Sequence, residues 1–477
     1  MLKNLLKSSL VSGLLITQVS AIEFVHVLEQ GYWYSRYNLG ELVMKSGNGE
    51  TFMPDMAMVG TMLDMVSDDL SRAMPPQNPA LLKRVYNKGN PLFITASNGQ
   101  MMDFSDSRWE RTDSENELTS YEAFAWTVTK EVEWSKQFNV DSHFGSPRGL
   151  PVPGAQERFN GVVLCAEALM QTMEFMQNPA AFAPADNSGK AAALIAIADF
   201  AQYIATPTAR NMQNNRCAQA ASMMAMKPAS QISSEFLMFA TPLYEELKQT
   251  NLENVKDKSL AIQAFTWFGY ANPVKAEEAR GLIRNLGRDL TRVTTTDALE
   301  QAYIVKGLND SARITKNAAL TRAFEQSVTK LISLFNTESG IFNGKNSYST
   351  DDVAIILGAI NAAKLFSNQE EVVTPVFVKF FDTIFNQAGM QLSAPGVESI
   401  AQYERKPDSR MHRAEELPLP RVAGGSFGIA PVYAANVEFG ANGITKTHDQ
   451  FDSAGAMHLA NQMIWFHNSE VNGFPEF

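Results

Sequence analysis

Two stretches of this sequence bring together side chains whose types and spacing suit acid/base work. Asp141 and His143 stand two residues apart in a run of glycine and proline punctuators from 141 to 154, Arg148 follows, and Glu157 and Arg158 open the next helical segment. A carboxylate near a histidine makes an acid/base pair, and a guanidinium neutralises an anionic group. The plainer alternative is that Asp141 caps a turn and His143 is a polar loop residue. Upstream, Asp103, Asp106, Glu110, Asp113, Glu115 and Glu117 surround Trp109, Arg108 and Arg111. Two carboxylates flanking a bond are what glycoside hydrolysis requires, and an indole face suits the apolar side of a sugar ring. A solvated acidic loop, with Thr119 or Ser120 capping the helix that follows, explains the same residues without chemistry.

Positive charge gathers further on, at Arg405, Lys406, Arg410, His412, Arg413 and Arg421, in a chain whose net charge is −11. Guanidinium groups hold carboxylated or sulfated sugars through paired hydrogen bonds, so Arg410, His412 and Arg413 are candidate substrate contacts beside Trp109, Arg148 and Arg158. Pairing with Glu404, Glu415 and Glu416 is the competing account. Three of the six histidines, His448, His458 and His467, fall near the C-terminal end of the chain. Nitrogen and oxygen donors suit zinc, but the spacing matches no strong motif, which leaves His448 and Asp452 as weak metal candidates and no metal expected. Met58, Met62 and Met65 recur at helical spacing and read as core filling in preference to a soft copper site.

Cys165 and Cys217 are the only cysteines. An even count permits one bridge in an oxidising compartment, and two buried thiols are the alternative. No phosphate-cradling glycine loop, Walker sequence, His-Glu-x-x-His or Gly-x-Ser-x-Gly elbow occurs, so no cofactor is expected. The acidic balance suits neither a nucleic-acid backbone nor an anionic membrane surface, and no apolar run is long enough to span a bilayer.

These side chains need elements to position them, and the dominant signal from Ser120 onward is the helical period. Between Lys258 and Ala388 an apolar helix, a short turn and a more amphipathic helix recur as a unit: Ser259 to Ala271 with Ala276 to Val293, Asp297 to Leu308 with Ala318 to Phe335, and Asp351 to Phe366 with Glu370 to Gln387. Thr296-Asp297 and Ser349-Thr350-Asp351-Asp352 supply N-caps. Further helices are expected at Ser120 to Phe138, Ala155 to Gln177, Lys190 to Ala205, Arg210 to Met226 and Gln231 to Gln249. Runs such as Ala191 to Ala198 are apolar nearly all round, which demands burial on every side. A closed ring with an inner layer of buried helices accommodates many of these.

This organisation resembles the α/α toroid architecture, the six- or seven-hairpin ring shared by several glycoside hydrolases, polysaccharide lyases and terpenoid cyclases. The expected fold is therefore all-α, built of repeated helical hairpins, with long irregular capping loops and a few short strands around Gly428 to Phe439. We expect a signal peptide at 1–21, an irregular and helical segment packed on the ring at 22–118, the hairpin domain at 119–388, a capping excursion at 389–453, and a closing helix and tail at 454–477. Lys3 and Lys7, the apolar run Leu10 to Val19 and the small residues Val19-Ser20-Ala21 make the leader, so the protein is expected to be exported, and loss of the two lysines takes the charge to −13.

The resemblance implies a carbohydrate-active enzyme with a glycan ligand in a cleft at one mouth of the ring. In a hydrolase Asp141 or Glu157 would pair with an acidic residue of the 103–117 loop, such as Asp113. In a lyase His143 or a tyrosine would take the proton beside a uronate carboxylate. A non-catalytic exported protein that binds a partner, ligand or metal is the alternative.

Overall fold

A helix buried on all sides has to be covered by other helices, and here six inner helices cover one another. The computed structural model describes residues 24–37, 49–67, 72–75, 79–91, 109–110, 118–138, 154–206, 215–390, 433–447, 451–466 and 473–477. In chain order its helices are α1 (Phe24–Tyr37), α2 (Met56–Val66), α3 (Tyr121–Phe138), α4 (Gly154–Gln177), α5 (Asn187–Ala205), α6 (Arg216–Ala225), α7 (Ala229–Gln249), α8 (Val255–Ala271), α9 (Ala276–Leu290), α10 (Ala298–Thr315), α11 (Ala318–Ser333), α12 (Thr350–Phe366), α13 (Glu370–Phe381) and α14 (Ser453–Trp465). Helix α3 packs on α5, α5 on α8, α8 on α10, α10 on α12, α12 on α14, and α14 returns to α3. The circuit is closed, and the fold is an α/α toroid.

The second helix of each hairpin forms the outer layer, and its pattern is correspondingly one-sided. In α9 the buried residues are Ala279, Ile283, Gly287 and Leu290, one stripe at helical period. Gly287 is glycine because a side chain there would strike the Ser311 hydroxyl on α10 at 2.6 Å. The inner helices differ: every residue of α5 from Ala191 to Ala201 is buried, and every residue of α12 from Val353 to Lys364. Their N-termini are capped by side chains, Asp186 on α5, Asn254 on α8, Asp297 on α10 and a reciprocal Ser349–Asp352 box on α12.

The helical period in the sequence stops near 388, but the ring does not. Its sixth hairpin is made of α14 in the inner layer and α1, which packs on α14 and α13 from outside. Two segments far apart in sequence therefore complete one wall. Ser35 of α1 donates to the Ala460 carbonyl of α14 at 2.6 Å, and Lys130 of α3 donates to the Ser35 carbonyl at 2.6 Å.

One mouth carries two small sheets. Strands β3 (Lys88–Pro91), β4 (Trp109–Glu110) and β10 (Phe451–Asp452) form the first, with Phe451 opposite Gly89 and Asn90 opposite Glu110. The second is β7 (Ser347–Ser349) with the hairpin of β8 (Asn436–Gly440) and β9 (Gly443–Thr447), so the strands expected around Gly428 to Phe439 lie a little downstream. Since β7 runs into α12 and β10 into α14, both sheets fix the first turns of inner helices. A pair outside the ring, β1 (Gly49–Phe52) and β2 (Leu81–Val85), packs on α4.

The opposite mouth is covered by residues 473–477. Arg313 lies over the rings of Phe366 and Phe474, at 4.4 and 5.4 Å, and donates to the Phe474 carbonyl at 2.7 Å. Arg280 donates to the Phe477 carbonyl at 3.0 Å, and the Phe477 ring fills the notch left by Gly269. Above this plug, Lys136 lies 2.6 Å from both Glu133 and Asp199. Burial lifts the Glu133 pKa against the pull of Lys136, to about 7. On the outer wall Cys165 of α4 and Cys217 of α6 are bonded, Sγ–Sγ 2.00 Å. Met62 is buried in a small satellite core beneath α2, with Met58 and Met65 packed against it.

Candidate active site

Because the six inner helices run parallel, their N-termini converge on the mouth that carries the sheets. A cavity of about 210 Å³ opens there, and its described lining draws on the first turns of α3, α5, α8, α12 and α14 and the second turn of α10. The polar groups are Glu122, Lys256, Tyr303, Asp351, Asp452 and His458, with Ser120 and Ser188. Helix N-termini carry partial positive charge, so a site ringed by six of them favours ionised carboxylates and anionic groups.

The centre of this arrangement is a dyad. His458 Nδ1 lies 2.7 Å from Asp351 Oδ1. The imidazole is buried and its face stacks on the Trp126 indole, centroids 4.0 Å apart and planes within 3°. Asp351, by contrast, keeps 40% of its side chain exposed. The histidine is thus held from behind while the carboxylate meets the cavity. The imidazole Nε2 has no hydrogen-bond partner among the described residues.

Protonation follows from these surroundings. Burial pushes the His458 pKa down, and Asp351 only partly offsets this, so the ring is neutral near pH 7 and donates from Nδ1. Partial burial would raise Asp351, but the hydrogen bond and field of His458, with Lys256 and Lys306 behind them, outweigh it and hold the carboxyl below the usual range. Asp452 goes the other way: burial and the neighbouring Asp351 raise it, against the Gly455 amide that it caps. The cavity therefore holds two carboxyl groups whose environments drive them apart, one toward the ionised form and one toward the acid.

Around them, Glu122 accepts from Ser188 at 3.1 Å. The Tyr303 phenol is pushed well above its ordinary value by burial and by Asp351 and Asp352, so it is a poor base and a persistent hydrogen-bond donor. Lys256 makes no ion pair within 4 Å among the described residues. Beneath the floor, Lys306 approaches Gln462 Oε1 at 3.5 Å, and burial brings its pKa down to about 8 against the pull of Asp310 and Asp351.

The sequence candidates meet this site only in part. Asp452 lines it, as an acid and helix cap; no group of three or more His, Cys, Asp or Glu among the described residues is placed to hold a metal ion. Trp109 belongs to β4, joined through β3 to β10 and so to Asp452. Arg158, expected as a substrate contact, is buried and gives Nε and Nη2 to the Val66 carbonyl at 3.0 and 2.7 Å, tying α4 to α2. Asp113, Asp141, His143, Arg148, Arg410, His412, Arg413 and His448 lie outside the described residues, as does the leader expected at 1–21, and Glu157 is described only as part of α4.

Asp351 and His458, the chemical core of the site, are read from the sequence as a cap and a tail histidine. The available signal was polarity where none belongs: after Ser453, His458, Asn461 and Gln462 sit in a helix otherwise made of Ala, Gly, Met, Leu, Ile and Trp, and Lys306, Asn309 and Asp310 interrupt α10 in the same way. Buried polar groups of this kind need a partner or a purpose.

No protein-family model matches this sequence, and no curated protein matches it. Among solved structures the chain is similar to cellobiose 2-epimerase from Bacillus thermoamylovorans B4167, at 9% identity and a TM-score of 0.42 over 72% of this chain and 87% of that one. It is also similar to a sugar epimerase from a ruminal bacterium, at 10% identity and a TM-score of 0.40 over 88% and 97%. Identity and overlap this low bear on neither activity nor substrate.

Proposed function

We propose that the protein is a carbohydrate-active enzyme of the hydrolase type, and that Asp351 and Asp452 are its working carboxyl groups. The observation that carries this reading is a set of carboxyl groups, one clamped by a buried histidine, opening together on a cavity at the mouth of a helical ring. Hydrolysis of a glycosidic bond needs one carboxyl group as acid and one as carboxylate. Asp452, whose pKa burial raises, donates its proton to the leaving oxygen. Asp351, kept ionised by His458, takes the proton of an attacking water or attacks the anomeric carbon itself. His458 is a positioning residue, and Trp126 fixes its plane. Glu122 and Tyr303 supply hydrogen bonds to sugar hydroxyls. Elimination is less well served, because Tyr303 is a poor base and His458, engaged with Asp351 through Nδ1, keeps its Nε2 buried.

The leader read at 1–21 supports export, so that polysaccharides outside the cell are the accessible substrates; Edman sequencing of the secreted protein from Ile22 tests this. For the activity, a panel of neutral and acidic glycans is assayed for reducing ends and for the ultraviolet absorbance of an unsaturated product. Reducing ends without unsaturation, abolished in Asp351→Asn, support the hydrolase. An unsaturated product would make it a lyase, and silence across the panel would favour a non-catalytic binding protein.

A further inference from the structure

The cavity has a floor, and this limits what shape of substrate it accepts. Its lower wall is the stacked pair of Trp126 and His458. Below it the ring axis is filled by Lys306, Gln462, Asp310, Trp267 and Trp465, which leave a gap of only about 10 Å³. Gly358 has no room for a side chain, since one would meet Gln462 Oε1 at 2.2 Å and Lys306 Nζ at 3.0 Å. Lower still the tail 473–477 crosses the far mouth, pinned by Arg313 and Arg280. Among the described residues no tunnel runs through the ring.

We infer that the site is a blind well that takes the end of a glycan chain and removes one terminal sugar at a time, an inference that rests on the hydrolase reading. A polymer threading a catalytic cavity needs an exit, and here the axis offers none. The well is also small. At about 210 Å³ it falls below the roughly 300–1,000 Å³ of clefts that enclose larger ligands, which suits a single sugar ring. Every wall contributes a polar group at the level of that ring: Glu122 and Ser188 on one side, Tyr303 and Lys256 on another, Asp351 and Asp452 on a third. Such an enclosure recognises hydroxyls around the whole circumference of a residue, and an internal residue, bonded at both ends, has no free circumference to offer.

The test uses the intact protein with a linear oligosaccharide of defined length and a cyclic one of the same linkage. At low conversion the linear chain should give the monosaccharide and the chain shortened by one, while the cyclic glycan stays intact and the viscosity of the parent polymer does not fall. Internal fragments from the outset, or opening of the cyclic glycan, would overturn the inference and leave the hydrolase reading standing. If nothing is cleaved, the hydrolase reading fails, and ligand-observed NMR then decides the well by itself. Binding of monosaccharides and linear chain ends but not of cyclic glycans supports it, whereas preference for the cyclic form, or no binding of either, overturns it.

Discussion

Replacing Cys165 and Cys217 together by alanine removes a bond whose contribution follows from the loop it closes. The two residues are 52 apart, and the loop encloses the end of α4, all of α5 and the start of α6. In the chain-entropy account a loop of this size restricts the unfolded ensemble by about 14 cal per mole per kelvin, or about 4 kcal/mol near room temperature. An unfolding entropy of about 2.1 cal per mole per kelvin per residue makes that a shift of roughly 4 °C for a chain of this length. Calorimetry on the oxidised protein, on the same protein with a phosphine reductant and on the double alanine variant reads the shift directly. Reduced protein and variant should melt together, below the oxidised form, with the reductant leaving the variant unchanged. If the variant and the oxidised protein melt within about 1 °C of each other, the entropic reasoning is wrong for this bond, and an unfolded state already compact around α5 would be the physical cause.

The site makes sharper demands. Asp351→Asn and Asp452→Asn should each lower kcat/KM by about a hundredfold to ten-thousandfold, the usual share of a positioned acid or base, while circular dichroism stays unchanged. Activity should need Asp351 ionised and Asp452 protonated, so the pH profile should be bell-shaped, with its acid limb below the ordinary carboxylate range and its upper limb above it. His458→Leu removes the group that holds Asp351 down, and the acid limb should then move to higher pH; an unmoved limb would strip His458 of its positioning role. Glu133 has its pKa raised by burial from 4.5 to about 7, so its contribution to stability is full below 4.5 and is lost as pH rises through 7. Glu133→Gln should flatten the fall in melting temperature across that window. Arg313→Ala strands the buried Asp310 and frees the tail, and should cost about 3 kcal/mol in urea unfolding.

How much of this was legible in the sequence depends on distance along the chain. The hairpins from Lys258 to Ala388 announce themselves because each buries its stripe against a neighbour close in sequence, and Ala276 to Leu290 shows the period plainly. The sixth hairpin does not, because α1 and α14 meet only in space. The site was harder for the same reason. Asp351 and His458 are 107 residues apart, and nothing local marks a capping aspartate as half of a dyad. Asp141 with His143 drew attention by adjacency, and both lie outside the described residues. Arg158 drew attention by its charge, whereas in the fold its guanidinium donates twice to the Val66 carbonyl. The cysteines lay between these cases, since their number suggested a bond that only the approach of α6 to α4 makes.

The closing helix gives the ring a direction in time. A ribosome delivers α3 first among the inner helices and α14 last, so five hairpins emerge before the piece that seals them. Until then the flanks of α3 and α12 that α14 covers, Trp126 among them, stand open as an apolar seam. The nascent protein is thus an incomplete ring with two exposed apolar edges until its last helix arrives. The same late helix brings His458 and, at its cap, Asp452. Closure of the ring and assembly of the Asp351–His458 dyad thus arrive together.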